Sequence, residues 1–143
     1  MSFTQAVASG FLKYVTFAGR AARSEFWYWI LFTMLAGLAT EVLDHFFASS
    51  GEPSSAVFAL VTFLPGLAVT VRRLHDTDRS GWWLLLFLVP VVNFVLIVWF
   101  CFEGTQGYNR FGADPYGSGG HIAAELTAAQ RVRAEAWRRR ASR

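Results

Sequence analysis

The chain has 143 residues, 54% of them apolar, with six Trp and fourteen Phe, and a mean hydropathy of +0.34. That composition excludes a disordered or collagen-like chain and is far too apolar for an ordinary soluble domain of this length, so it points to lipid. The formal charge is +3, and a single cysteine, Cys101, excludes an intramolecular disulfide and any multi-cysteine metal site.

The first 25 residues carry Lys13, Arg20 and Arg23 and run into a long apolar stretch without a small-residue cleavage site, so they read as a retained segment. Within it Phe3, Val7, Phe11, Tyr14 and Ala18 recur at intervals of three and four, which predicts an amphipathic helix lying at the membrane surface. Residues 26–102 read as the membrane domain, with predicted spans over 26–43, 54–71 and 82–102. At 1.5 Å per residue these reach roughly 27, 27 and 31 Å, close to a hydrocarbon core about 30 Å thick. The fold class predicted is therefore all-α: a polytopic membrane protein with about three transmembrane helices, an N-terminal interfacial helix and a polar, basic C-terminal tail.

Aromatic residues mark the ends of these spans: Trp27, Tyr28 and Trp29 open the first, Trp82 and Trp83 open the third, and Trp99, Phe100 and Phe102 close it. Thr33 with Gly37, Ala36 with Thr40, and Thr62 with Gly66 and Thr70 supply small-residue faces on which helices approach closely. Pro65 and Pro90 sit inside spans, where kinks are predicted, and Asn93 is placed to donate to a carbonyl freed by Pro90. Residues 103–143 form a turn-rich segment, a Gly-rich linker and an Arg-rich tail, in which Thr127 and Gln130 have capping-box spacing for a short helix.

The positive-inside rule sets orientation. Lys13, Arg20, Arg23, Arg72, Arg73 and Arg79 fall on one side and Arg110 on the other, which places the N-terminus in the cytoplasm. Three crossings then carry the C-terminus outside, against the pull of the distal arginines.

Two charged stretches flank the helices. In "FAGRAARSEFWYW" Arg20 and Arg23 can anchor the first span or fork onto a phosphate, while Ser24 can cap the helix and Glu25 suits its positive end. In "VRRLHDTDRSGWW" the second helix, continued, places Arg72, His75 and Asp76 on one face and Arg73 to the side. The arginines attract anionic lipid without special geometry. Asp76 and Asp78 oppose that attraction, so pairing with Arg72, Arg73, Arg20 or Arg23 is predicted, with Asp78 or Ser80 capping the next helix. His75 beside Asp76 also supplies parts for proton transfer. Glu41, Asp44 and His45 have metal-like spacing but read as a solvated helix end, and no metal or other cofactor is predicted.

Together "FAGRAARSEFWYW", "RRLHDTDRSGWWLLL" and "NRFGADP" resemble the DUF805 family of small bacterial inner-membrane proteins, over about Tyr14 to Pro115. The family pattern maps onto Gly19, Arg20, Arg23, Glu25, Phe26 and Trp27, onto Arg72, Arg73, Leu74, His75, Asp76, Arg79, Ser80 and Trp82, and onto Asn109, Phe111, Gly112, Asp114 and Pro115. "FGADP" stands here where "FGPDP" is usual. The resemblance implies a multi-pass bacterial inner-membrane protein and no established activity. The leading expectation is a noncatalytic protein whose cluster of Arg20, Arg23, Glu25, Arg72, Arg73, His75, Asp76 and Arg79 binds anionic lipid head groups or a partner protein. A homo-oligomer, a transporter or channel component and an interfacial enzyme using His75 and Asp76 are the alternatives; nucleic acid is not an expected partner.

Overall fold

A computed structural model describes residues 1–47, 54–90 and 93–117. The sequence-predicted helix after Thr127 and the Arg-rich tail lie outside the described residues. Within them the chain is helical, without a β-strand. Helix α1 spans Phe3–Leu12, α2 spans Arg23–Phe47 and α3 spans Ser54–Asp76. A 3-10 segment, Gly81–Leu88, and a short helix α4, Asn93–Cys101, complete the order.

Helices α2 and α3 are long and apolar enough to cross a membrane, and they pack side by side. At their far end Asp44, in the last turn of α2, accepts hydrogen bonds from the Ser54 N–H (2.8 Å), the Ser54 hydroxyl (2.6 Å) and the Ser55 N–H (2.9 Å). A carboxylate of one helix thus caps the next, meeting both its orphan N–H groups and its positive dipole end. Asp44 therefore has a cap to make, and no group of three metal-ligating residues forms among the described residues.

Helix α1 opens on a capping box, Ser2 with Gln5. Its buried face differs from the predicted apolar stripe: Ala6, Ser9 and Gly10 are buried, whereas Phe3 and Phe11 stay partly exposed. The reason is close approach, since a Cβ on Gly10 would overlap the Trp29 ring. Small residues bring α1 onto α2, and the aromatic residues pack along the flanks, Phe3 on Tyr28 and Phe11 on Trp29 and Phe32. Tyr14 and Ala18 lie beyond the helix.

Helix α3 runs unbroken through Pro65. A proline has no N–H, so the carbonyl of Val61 four residues earlier loses its helical donor. The Tyr14 hydroxyl supplies one, donating to the Val61 carbonyl at 2.7 Å.

The predicted third span, 82–102, is corrected: it is not one helix. Val89 precedes Pro90 and adopts extended backbone, φ −113° and ψ 102°, the conformation that the proline ring imposes on its predecessor. The 3-10 segment stops there, and the chain turns back. Trp83 near one end of the run and Trp99 near the other meet with ring centroids 5.3 Å apart. An apolar run about 30 Å long as a single helix instead forms a hairpin that leaves and returns at the same end of the α2–α3 pair. The Asn93 amide donates to the Phe87 carbonyl across this break, at 3.4 Å. Phe26, Trp29, Val69, Leu74, Leu96 and Phe100 form the buried core between the pair and the hairpin.

Candidate functional site

Three charged or turn-rich motifs, far apart in sequence, meet at the end of the bundle where α2 begins and α3 ends. The tip of α3 is fixed by a Schellman motif: the Arg79 N–H reaches the Leu74 carbonyl (2.9 Å) and the Asp78 N–H reaches the His75 carbonyl (3.0 Å). Asp78 occupies the left-handed position, φ 57°, where glycine is usual. Its side chain pairs with Arg110 at 3.1 Å, and its carbonyl accepts from the same guanidinium at 2.7 Å. Ser80 caps the 3-10 segment. Ser24 does not cap α2: the helix starts one residue earlier, at Arg23, and the Ser24 hydroxyl is buried without a partner among the described residues.

Asp76 is the centre of the cluster and is fully buried. One carboxylate oxygen takes Arg20 at 2.8 Å, and the other takes Arg73. Both arginines then spend their remaining donors on backbone carbonyls of the returning chain. Arg20 reaches Gly107 (2.6 Å), Gly112 (3.3 Å) and Thr105, while Arg73 reaches Phe100 (3.1 Å) and Phe102. Forked, planar guanidinium groups suit this use, because they satisfy one carboxylate and several carbonyls together. The Asp76 carbonyl in turn accepts from the Thr105 N–H at 2.8 Å. A Cβ on Gly104 would overlap the Asp76 carboxylate, so glycine is what lets the returning strap, residues 103–117, close over the charge.

A second buried pair lies beside the first. Arg72 donates to Glu25 at 2.8 Å, both side chains nearly inaccessible, and the Ser9 hydroxyl of α1 donates to the same Glu25 oxygen at 2.9 Å. Two Arg72 nitrogens, Nε and Nη2, have no partner among the described residues.

The third motif docks on the second. The Asn109 amide donates to the His75 carbonyl at 2.9 Å, and its oxygen accepts from the Phe111 N–H at 2.9 Å. Asn109 and Gly112 exchange two backbone bonds of 3.0 Å, a tight turn closed by Gly112 at φ 133°. Phe111 stacks on the His75 ring, 3.8 Å between centroids and 3° between planes. Asp114 accepts from the Tyr116 N–H at 2.9 Å, with Pro115 between them.

This arrangement separates the candidate residues into two groups. Arg20, Glu25, Arg72, Arg73 and Asp76 are buried and paired inside the protein. The Arg23 and Arg110 side chains are exposed, and Arg79 is half-buried at the rim, donating to the Thr77 carbonyl at 3.2 Å. Arg23 makes an exposed pair with Glu103 at 3.2 Å, and Arg79 lies over the Trp99 ring at 4.2 Å. Arg72 and Arg73, which reach for lipid on sequence grounds, point inward instead.

The geometry also bears on catalysis. His75 and the Asp76 carboxylate do not meet: the histidine Nδ1 lies 3.2 Å from the Gly19 carbonyl and Asp76 is occupied by two arginines. A cavity of about 740 Å³ between α2, α3 and the 3-10 segment has no titratable residue in its lining. Its threonine hydroxyls, Thr33, Thr62 and Thr70, donate to carbonyls of their own helices.

Sequence reasoning found the charged motifs but missed the strap carbonyls that complete them, since a backbone acceptor leaves no trace in side-chain identity. Gly104 and Gly107 were the available signals.

Comparison with known proteins matches residues 14–113 to the family described as "Protein of unknown function (DUF805)". The chain is 49% identical over 104 residues to the inner membrane protein YhaI of Escherichia coli K12, covering 72% of this chain and 88% of that one. It is 47% identical over 108 residues to the inner membrane protein YhaH of the same strain, covering 72% and 89%. The uncharacterized protein YiiR, also from that strain, is 32% identical over 130 residues, covering 69% and 85%. No solved structure matches. With two apolar helices of membrane-crossing length, the chain is an inner-membrane protein like YhaI and YhaH.

Proposed function

The chain belongs to the DUF805 family, and from that premise we propose that it is a noncatalytic membrane protein that binds anionic lipid head groups on a platform at one membrane face. Two helices cross the bilayer, the 81–101 run enters and leaves on one side, and both the N-terminus and the strap lie on the cytoplasmic side. This topology places Arg20, Arg23, Arg72, Arg73, Arg79 and Arg110 together, as the positive-inside rule favours. A three-crossing topology separates Arg110 from the rest.

The observation that carries the reading is the rim group, the exposed Arg23 and Arg110 with the half-buried Arg79, arranged around the buried clamp. Glu103 and Asp78, the carboxylate partners of Arg23 and Arg110, are exposed, 76% and 50% by side chain, so exchanging a carboxylate for a lipid phosphate costs little. The buried clamp holds the platform in shape and does not itself meet lipid.

Native mass spectrometry of the gently purified full chain, with phosphatidylglycerol against phosphatidylcholine, tests this. Each basic residue near anionic lipid contributes about 1 kcal/mol, or roughly fivefold, so Arg79→Ala with Arg110→Ala should weaken phosphatidylglycerol retention by more than tenfold (on the order of 5 × 5). Unchanged retention in a folded double variant sinks the proposal.

A further inference from the structure

A second cavity, of about 420 Å³, opens at the charged end of the bundle and is lined by Arg23, Glu103, Gly104, Gln106, Asp114 and Tyr116. Its depth follows from its walls. Arg23 is the first residue of α2 and Cys101 the last of α4, so the cavity lies where the chain leaves the apolar region, at head-group level. Its floor is held by the clamp, because Gly104 rests directly on the Asp76 carboxylate.

The charges of the lining are mixed: one guanidinium, two carboxylates, an amide and a phenol. A head group with negative charge alone gains Arg23 but meets Glu103 and Asp114. A lone cation gains the carboxylates but meets Arg23. A group carrying both signs answers both halves. The Arg23–Glu103 pair is exposed and separated by 3.2 Å, and the Arg23 bond to the Cys101 carbonyl is long, 3.4 Å, so both partners can turn to a ligand at small cost. Asp114 keeps its place through its bond from the Tyr116 N–H.

We propose that this cavity binds the head group of a bilayer phospholipid bearing a phosphate and a primary ammonium, with the phosphate on Arg23 and the ammonium between Glu103 and Asp114. A primary ammonium donates hydrogen bonds to carboxylates and a quaternary one does not, so phosphatidylethanolamine is selected over phosphatidylcholine. The assignment rests on the head-group-binding reading above and narrows it to one site and one lipid class.

The test is native mass spectrometry of the full chain released from nanodiscs with equal parts phosphatidylethanolamine, phosphatidylcholine and phosphatidylglycerol. The wild type should retain phosphatidylethanolamine over phosphatidylcholine by about threefold or more, the worth of one or two exposed charge-assisted bonds. Glu103→Gln with Asp114→Asn should bring that ratio to about one without loss of phosphatidylglycerol. Glu103 is exposed, and asparagine can still accept from the Tyr116 N–H, so the variant is expected to fold. Equal retention of the two zwitterionic lipids by the wild type, or an unchanged ratio in the double variant, overturns the site. If phosphatidylglycerol retention still responds to Arg79 and Arg110 in that case, the platform stands and only this cavity fails; if no lipid is retained, both fail. Binding of soluble glycerophosphoethanolamine as tight as that of the lipid overturns the membrane source.

Discussion

Replacing Tyr14 with Phe removes one oxygen and tests whether the N-terminal segment stitches the membrane domain together. Pro65 leaves the Val61 carbonyl without its helical donor, and the Tyr14 hydroxyl meets that carbonyl at 2.7 Å. Val61 lies fifteen residues before Asp76, roughly 22 Å along α3, well inside a hydrocarbon layer about 30 Å thick. Water cannot take the place of the lost donor there. The bond lies at the outer surface of the helix pair, and measured interhelical bonds in a membrane protein average about 0.6 with a maximum near 1.7 kcal/mol. A loss of about 0.6 to 1.7 kcal/mol is therefore expected for Tyr14→Phe. Reversible unfolding in mixed micelles reads it as a drop of roughly three- to twentyfold in the folding equilibrium. Pro65→Ala restores a backbone N–H to the same carbonyl, so in that background Tyr14→Phe should cost less than about 0.5 kcal/mol. A loss near zero in the wild type means that water reaches Val61, and a loss unchanged by Pro65→Ala means that the tyrosine acts elsewhere; either result refutes the reasoning.

Three further outcomes follow from the buried charges and the hairpin. Asp76→Asn leaves Arg20 and Arg73 without their shared anion and should destabilise by about 3–5 kcal/mol, while Asp78→Asn, at an exposed pair, should cost under about 1 kcal/mol; the same unfolding assay compares them. Glu25→Leu and Arg72→Met should each be severely destabilising alone, yet the double variant should recover much of the loss in that assay, because removing both members leaves no buried charge. Single cysteines at Thr77 and Tyr116, in a Cys101→Ala background, should react with a membrane-impermeant maleimide from the same side, and one at Glu41 from the opposite side. Labelling of Tyr116 with Glu41 restores the three-crossing arrangement and removes the hairpin topology.

The two intramembrane prolines explain how far the sequence could be read. Both sit in apolar runs of sufficient length, and both invite the reading of a kinked span. Pro65 is buried in α3, where Tyr14 from another part of the chain covers the carbonyl it frees and Gly66 lets Trp29 pack close. Pro90 has the weaker local help of Asn93, a 3.4 Å bond to Phe87, and there the helix gives way to extended backbone at Val89. The difference is tertiary, so hydropathy alone cannot separate the two. The restriction that a proline places on its predecessor was the local signal for the second break, and the length of the apolar run concealed it. The charged end follows the same division. Arg20, Arg73 and Asp76 are recognisable because a carboxylate among arginines at a membrane face calls for a partner. The carbonyls of Phe100, Phe102, Thr105, Gly107 and Gly112 that complete the guanidinium groups belong to no residue type. Once the 81–101 run turns back, those carbonyls arrive at the tip of α3. One reversal at Pro90 therefore places the returning carbonyls over Asp76 and completes the donors of two buried arginines, Arg20 and Arg73, a link that a straight third helix would break.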